Sequence, residues 1–311
     1  MISKPIISVV MITYGHENYI RQAIEGVLMQ KCNFEIELIL SNDCSPDKTN
    51  DVIQEILKTH KSANWIKYFN HKKNLGMMPN FQFALEKCTG KYIAICEGDD
   101  YWIDELKLQK QVDFLEINPE YVLTFHKVKI LNLNGEITED FITKVPNNYE
   151  SLETLAQFGN YIHTPSVVFR NILKDFPFEF KQTPIGDFFL YLMLAQHGKI
   201  KYLDEKMSVY RYGVGVFSGR NSLHLAKTNL KLFICLLSYF KDEKIKKILF
   251  ERQINSVNSI ESIINNQYKH SFVSNHLFFR MVKFLVENKK RPNLIFKKIT
   301  LKTFNYFKNK W

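Results

Sequence analysis

The chain has little cysteine, and none of it is arranged as a metal or disulfide framework. Cys32, Cys44, Cys88, Cys96 and Cys235 are odd in number and include no C-x-x-C pair, which argues against a zinc site and fits a reduced, cytosolic compartment. No apolar run approaches the ~20 residues needed to cross a bilayer, and no charged-then-apolar leader precedes the first strand-like run. The glycine signatures G-x-G-x-x-G and G-x-x-x-x-G-K-[ST] are both missing, which argues against a dinucleotide enzyme or a P-loop ATPase. Internal repeats and low-complexity stretches are also lacking. Acid is almost absent from one stretch: residues 269–311 hold 11 Lys and Arg and one acid, Glu287. The net charge of +10 therefore resides there, because the preceding residues carry 31 charges of each sign.

What is present is an alternation of strand and helix patterns. Ile6 to Tyr14 is a continuous apolar, β-branched run, the mark of a strand buried on both faces. Ile20, Ala23, Ile24, Val27 and Leu28 then follow at helical spacing. Glu35 to Leu40 predicts a second strand, and Ser45-Pro46 a helix start as N-cap and first-turn proline. Trp65 to Phe69, Pro79 to Lys87 and Tyr92 to Cys96 continue as strand, helix and strand. This βαβαβαβ order predicts an α/β fold with an open, mostly parallel, Rossmann-like sheet flanked by helices. In the second half, Asn134-Gly135 signals a hairpin, Ile162 to Phe169 a strand, Gly186 to His197 a helix and Lys201 to Tyr212 a strand pair. From Leu223 onward the pattern is helical. The expected division is a catalytic domain over 1–220 and a basic helical extension over 221–311.

Ligands of open parallel sheets bind beyond the carboxyl ends of the strands. Those ends here read Thr13-Tyr14-Gly15-His16-Glu17, Ser41-Asn42-Asp43-Cys44-Ser45, Asn70 to Gly76, and Glu97-Gly98-Asp99-Asp100-Tyr101-Trp102. All four are polar and three carry acids. Acids gathered at one crevice repel unless something positive joins them. Mg²⁺ or Mn²⁺ is the plainest candidate, since both take carboxylate, phosphate and water oxygens. Glu97, Asp99 and Asp100 would supply the carboxylates, with Lys72 and Lys73 adding charge near a pyrophosphate. A solvated turn is the alternative for the acidic pair taken alone.

In order and spacing these motifs resemble family 2 glycosyltransferases of the GT-A fold. Ser8 to Tyr14, Asn42 to Ser45, Asn74-Leu75-Gly76 and Glu97 to Trp102 carry the likeness, which extends over roughly residues 5 to 218. The resemblance implies an inverting transfer from a nucleotide-diphosphate sugar, most often a UDP-sugar, to a saccharide or lipid-linked saccharide hydroxyl. It implies that Thr13, Tyr14 and Glu17 line the base and ribose pocket, that Asp43 accepts a hydrogen bond from the base, and that Asn74 and Gly76 border the donor. Asp99 and Asp100 take the D-x-D position for ribose and metal, and Glu97 replaces its usual first aspartate. Asp187, which heads a predicted helix, resembles the family's general base; the bland alternative is a first-turn acid favoured by the helix dipole. His163, Thr164 and Ser166 resemble the acceptor-side strand, with a structural role equally open for His163. Trp102 either stacks on a sugar face or belongs to the core. Arg211, in Tyr210 to Ser218, resembles a loop residue that closes over the pyrophosphate. A nucleotidyltransferase and a non-catalytic nucleotide-sugar-binding membrane scaffold are the rival classes. The first usually shows an N-terminal glycine-rich phosphate loop, absent here, and the second would not need to keep Asp99 and Asp187.

The basic stretch interleaves Leu277, Phe278, Met281 and Phe284 with Arg280 and Lys283, and repeats the pattern after Pro292. Basic helices with apolar faces suit an anionic membrane surface; a solvated face over a helical subdomain is the alternative. Nucleic acid is not an expected partner, because the neutral half offers no matching basic groove.

Overall fold

In the computed structural model, residues 6–173, 175–215 and 222–267 are described. In chain order the elements are β1 (Ile7–Thr13), α1 (Ile20–Leu28), β2 (Ile36–Asn42), α2 (Thr49–Thr59), β3 (Ile66–Asn70), α3 (Met77–Glu86), β4 (Tyr92–Ile95), β5 (Tyr101–Trp102), α4 (Lys107–Ile117), β6 (Tyr121–Leu131), β7 (Ile137–Glu139), α5 (Leu152–Phe158), β8 (Val168–Arg170), α6 (Phe178–Gln182), α7 (Gly186–Ala195), β9 (Lys199–Arg211), α8 (Ser222–Tyr239) and α9 (Glu243–Gln267). They divide into two compact units, Met1–Phe176 with Gly186–Ser218, and Pro177–Ile185 with Gly219–Trp311.

The first unit is built on a nine-stranded sheet in the order β3-β2-β1-β4-β8-β6-β9-β5, with β7 on β6. The parallel expectation holds for β1 to β4, and β9 also runs parallel to β6. β8, β7 and β5 pair antiparallel, so the sheet is mixed. β1 and β2 are buried at every position, as strands covered by helices on both faces must be. Ile20, Ala23, Ile24 and Val27 of α1 are fully buried in the same core as Ile53 and Ile56 of α2, each large aliphatic side chain contributing about 1.5–3 kcal/mol.

Register decides what gathers at one edge. Thr13 lies opposite Asn42, and Asn42 opposite Asn70, so three strands end level. β8 runs the other way, with Val168 opposite Ala94, which brings the turn before β8 to that edge too. Leu131 lies opposite Arg211, where β6 and β9 end together.

Three local expectations are corrected. α2 begins at Thr49 rather than at Ser45-Pro46. Asp47 accepts from the Thr49 amide and hydroxyl at 3.0 and 2.6 Å, while the Ser45 hydroxyl donates to Asn42 Oδ1 at 2.6 Å. The stretch expected as a strand from Ile162 opens as a 3-10 turn, Thr164–Ser166, because Pro165 has no amide to donate to a ladder. Lys201 to Arg211 belongs to one long strand, not two, and Tyr212 falls in the turn after it. No Gly or Pro breaks the strand, and Asp204 and Glu205 are accommodated where the register with β6 slips between His126 and Lys127. The hairpin at Asn134-Gly135 forms as expected.

The second unit is helical through Gln267, with α8 packed on α9 and on α6. The basic stretch, residues 269–311, and Val216, Phe217 and Ser218 lie outside the described residues. Among the described residues no helix is long and apolar enough to cross a membrane.

Candidate active site

The four strand ends are drawn together by backbone and short side chains. The Asp43 amide donates to Thr13 O at 2.9 Å, and the Gly98 amide to Ile12 O at 3.0 Å. The Gly15, His16 and Glu17 amides donate to Ser45, Thr49 and Asp47 side chains at 2.9–3.1 Å, and Glu17 accepts from the Lys48 amide at 2.9 Å. Asp43 is buried and accepts the Leu75 and Gly76 amides at 2.7 and 2.9 Å. That grip fixes the Asn74-Leu75-Gly76 turn, whose Gly76 sits at φ 92°, a backbone state that glycine adopts without a Cβ penalty. Asn74, Lys72, Lys73 and Tyr14 are exposed at this edge, whereas Thr13 is buried against His16 (Oγ1 to Nδ1, 3.1 Å).

Gly98 is where the fourth strand end meets the first. A Cβ there would come within 2.7 Å of Thr13 Oγ1 and 2.8 Å of His16 Nδ1, so the acidic loop lies directly on the first motif. Burial holds the His16 imidazole below its ordinary range despite the pull of Asp99 and Asp47.

The acids of this loop are mutually unfavourable as they stand. Glu97 is pushed up to about 8, first by burial and then by Asp99 and Asp187. Asp100 is raised well above the carboxylate range by burial, then by Asp99. Its Oδ1 accepts the Arg211 amide at 2.8 Å, and its Oδ2 is buried without a partner. Carboxylates pushed up by burial and then by their acidic neighbours are a donor set that a divalent cation would suit, since it takes hard oxygen ligands and offsets their charge. Among the described residues no three His, Cys, Asp or Glu side chains form a ready metal cage. Mg²⁺ and Mn²⁺ are commonly held by one or two carboxylates with substrate phosphates and water. Asp99 and Glu97 face that role; Asp100, by contrast, is 1% exposed and tied to Arg211.

Arg211 departs from the expectation of a loop residue. It is the last residue of β9 and buried; its guanidinium donates to Asp99 O and Gln22 Oε1 and lies over the Tyr19 and Tyr101 rings at 5.0 and 4.6 Å. It staples the acidic loop rather than reaching outward.

Asp187 heads α7 and stands across from this loop. Its Oδ2 accepts from Asn160 Nδ2 at 2.8 Å and from Thr164 Oγ1 at 3.4 Å. A helix head favours ionisation, yet burial outweighs it and these hydrogen bonds and raises the group above its ordinary range. A raised carboxylate is a stronger base. His163 is buried, its Nε2 bonded to Asp140 at 3.0 Å and its ring 4.9 Å from Tyr210; Ser166 is fully buried and donates to His163 O at 2.6 Å. Trp102 is no sugar platform: it is 2% exposed, donates from Nε1 to Pro165 O at 2.8 Å, and lies under Lys107 Nζ at 4.2 Å.

The structure thus gathers Thr13, Glu17, Asp43, Gly76 and the acidic loop at the sheet edge. It sets Asp187, which Thr164 meets, within electrostatic reach of Glu97, and commits Trp102, Ser166, Asp100 and Arg211 to internal contacts. His16, Asn160 and Asp140 escaped sequence reasoning. His16 stood inside a quoted motif, but Asn160 and Asp140 meet their partners across 27 and 23 residues with no local signal.

The profile of glycosyl transferase family 2 matches residues 8–176. An uncharacterized protein of Mycobacterium tuberculosis, Rv1520, is 36% identical over 207 residues, 66% of this chain and 58% of its own length. The chain thus spans under two thirds of that relative. The putative teichuronic acid biosynthesis glycosyltransferase TuaG of Bacillus subtilis is 32% identical over 139 residues, 45% of this chain and 53% of its own. Among solved structures, residues 1–349 of S. aureus TarS in complex with UDP-GlcNAc align with a TM-score of 0.60 at 18% identity, over 86% of this chain and 77% of that one. The mannosyltransferase PcManGT of Pyrobaculum calidifontis, in complex with GDP-Man and Mn²⁺, gives 0.59 at 14% identity over 96% and 84%. These two share the fold with this chain, a GT-A arrangement.

Proposed function

Because the chain belongs to glycosyl transferase family 2, we propose that it is an inverting glycosyltransferase that moves a sugar from a nucleotide-diphosphate donor, a UDP-sugar by preference, onto an acceptor hydroxyl. One observation supports this: Asp99 from the first half and Asp187 from the second both act on the buried Glu97 carboxyl, so the three acids share one electrostatic environment. Thr13, Tyr14, Glu17 and Asp43 border the nucleoside, with Asn74 and Gly76 on the turn that Asp43 holds. Asp99 and Glu97 would hold Mn²⁺ or Mg²⁺, and that ion, when bound, neutralises charge on the departing diphosphate.

The residues then have separable tasks. Asn160 and Thr164 orient the Asp187 carboxylate. Asp187 takes the acceptor's hydroxyl proton as the acceptor oxygen bonds to the anomeric carbon. The bond from that carbon to the phosphate oxygen breaks in the same step, and the diphosphate leaves with the electron pair. A single displacement inverts the anomeric centre.

The likeness to TuaG, named for teichuronic acid biosynthesis, supports a place in cell-surface polysaccharide assembly. Residues 269–311, with 11 basic residues and one acid, support docking on an anionic membrane surface. The direct test is a panel of UDP- and GDP-sugars incubated with Mn²⁺, scored for release of the nucleoside diphosphate and, by NMR, for the anomer formed. Net inversion supports the proposal; retention, or no turnover of any sugar nucleotide, defeats it.

A further inference from the structure

The β6–β7 hairpin and the turn after β9 expose a group of apolar side chains that no structural role explains. Phe141 is 60% exposed, Leu133 77%, Ile142 43% and Tyr212 39%. Single exposed apolar residues are ordinary, but neighbouring ones that form a patch usually mark a contact surface. Phe141 and Tyr212 meet edge to face, ring centroids 5.5 Å apart, and Leu133 lies against Gly213.

The Phe141 turn is firmly built. Asp140 Oδ1 accepts the Ile142 and Thr143 amides at 2.8 and 3.1 Å, and Oδ2 accepts the Thr143 hydroxyl at 2.6 Å. Asp140 Oδ2 also meets His163 Nε2 at 3.0 Å. Four polar contacts thus hold a phenyl ring out in water, in a turn organised before any ligand arrives.

Two tethers join the aromatic pair to the chemistry. From Phe141 the path runs through Asp140 to His163, and the next residue, Thr164, reaches Asp187. From Tyr212 it runs to Arg211, whose amide meets Asp100. The pair is therefore tied, through chain neighbours and hydrogen bonds, to the turn that meets Asp187 on one side and to the acidic loop on the other.

We propose that Phe141 and Tyr212 form an acceptor platform on which a pyranose ring of a saccharide substrate rests while its hydroxyl reaches Asp187. The proposal rests on the glycosyltransferase function above and names a subsite for it. Aromatic faces and edges suit the C–H-rich faces of sugars. The charge around it does not call for a bilayer: Glu139 is paired with Lys206 and Asp204 with Lys127, and Glu136 is exposed, whereas docking on an anionic surface draws on unpaired basic residues.

Saturation-transfer NMR on the full chain with octyl glycosides of glucose, galactose, mannose and N-acetylglucosamine, below their micelle concentrations, tests this. For at least one glycoside the pyranose C–H protons should saturate more strongly than the octyl chain. Phe141→Ser and Tyr212→Ala should each weaken that signal about fivefold, the scale of one lost aromatic contact, and Phe141→Tyr should keep it. Saturation led by the octyl chain, a signal unaltered in both variants, or no saturated glycoside overturns the platform. Asp187→Asn is the separating control: it should keep the glycoside signal while abolishing transfer. Transfer surviving in that variant would sink the base and leave the platform standing.

Discussion

At the scale of single residues, Asp187 and Asn160 carry the strongest expectations. Asp187→Asn should lower kcat by about 10²–10⁴, the range typical of a lost general base, with donor affinity unchanged; kinetics at saturating donor check it. The pH profile gives an independent sign. Burial raises the Asp187 carboxyl and the Asn160 hydrogen bond lowers it. The acid limb of kcat/KM should therefore lie above the ordinary aspartate value of about 4. Asn160→Ala removes a bond to the charged form, so the limb should move to higher pH; an unmoved or lowered limb contradicts the assignment. The motif residues were legible because each strand tip is a contiguous string. Asn160, Asp140 and the inward turn of Arg211 were not, since they depend on contacts made only after the sheet closes.

Among elements, the link between the acidic loop and the turn before β8 is a buried polar chain. Trp102 Nε1 meets Pro165 O, Gln111 Nε2 meets Ser166 O at 2.9 Å and Thr124 Oγ1 at 3.1 Å, and Lys107 Nζ meets Gln111 Oε1 at 2.8 Å. Trp102→Phe keeps an aromatic ring but removes the hydrogen bond and the volume of the second ring, a loss of at least about 1–3 kcal/mol. Chemical denaturation should show that loss, and kcat should fall further than donor affinity because the Thr164 turn is released.

Lys107 gives a pH signature of its own. Burial drives its amine down to about 7, below the ordinary value of about 10.4. The unfolded chain then binds the extra proton between these values, so the stability penalty is full below pH 7 and fades as pH rises. Relative to Lys107→Met, the wild type should gain up to about 1.4 kcal/mol per pH unit above neutrality. Parallel stability curves for the two would refute a buried, weakened amine.

α4, which carries Lys107 and Gln111, passed unrecognised although Leu108, Val112 and Leu115 are buried at helical spacing. Its polar interior positions masked the stripe. β5, of two residues, is too short for periodicity to reveal, and of the strand expected over Ile162 to Phe169 only the end lies in β8, Val168–Arg170. β9 read as two strands because its charged middle imitates a turn.

Over the whole molecule, charge is segregated. The sequence divides into a balanced portion and a terminal stretch with 11 basic residues against one acid. If that stretch docks the enzyme, deleting residues 270–311 should abolish flotation with vesicles containing phosphatidylglycerol and leave turnover of a soluble acceptor intact. Equal flotation of the shortened chain would remove the membrane role. The alternation of strand and helix patterns made the fold class readable, because β1 and β2 are buried along their whole length and their apolar runs are unbroken. The antiparallel half was harder, since its order depends on pairings such as β4 with β8 that join distant segments.

The central claim is that acids from separate strand ends grip one cation together with a diphosphate. Calorimetric titration of UDP and GDP into the protein, with and without Mn²⁺, measures this directly. One nucleotide should bind at least about tenfold more tightly with the ion, a difference of roughly 1.4 kcal/mol, and Asp99→Ala should erase that difference. Binding indifferent to Mn²⁺, or an Mn²⁺ effect that survives Asp99→Ala, would contradict it.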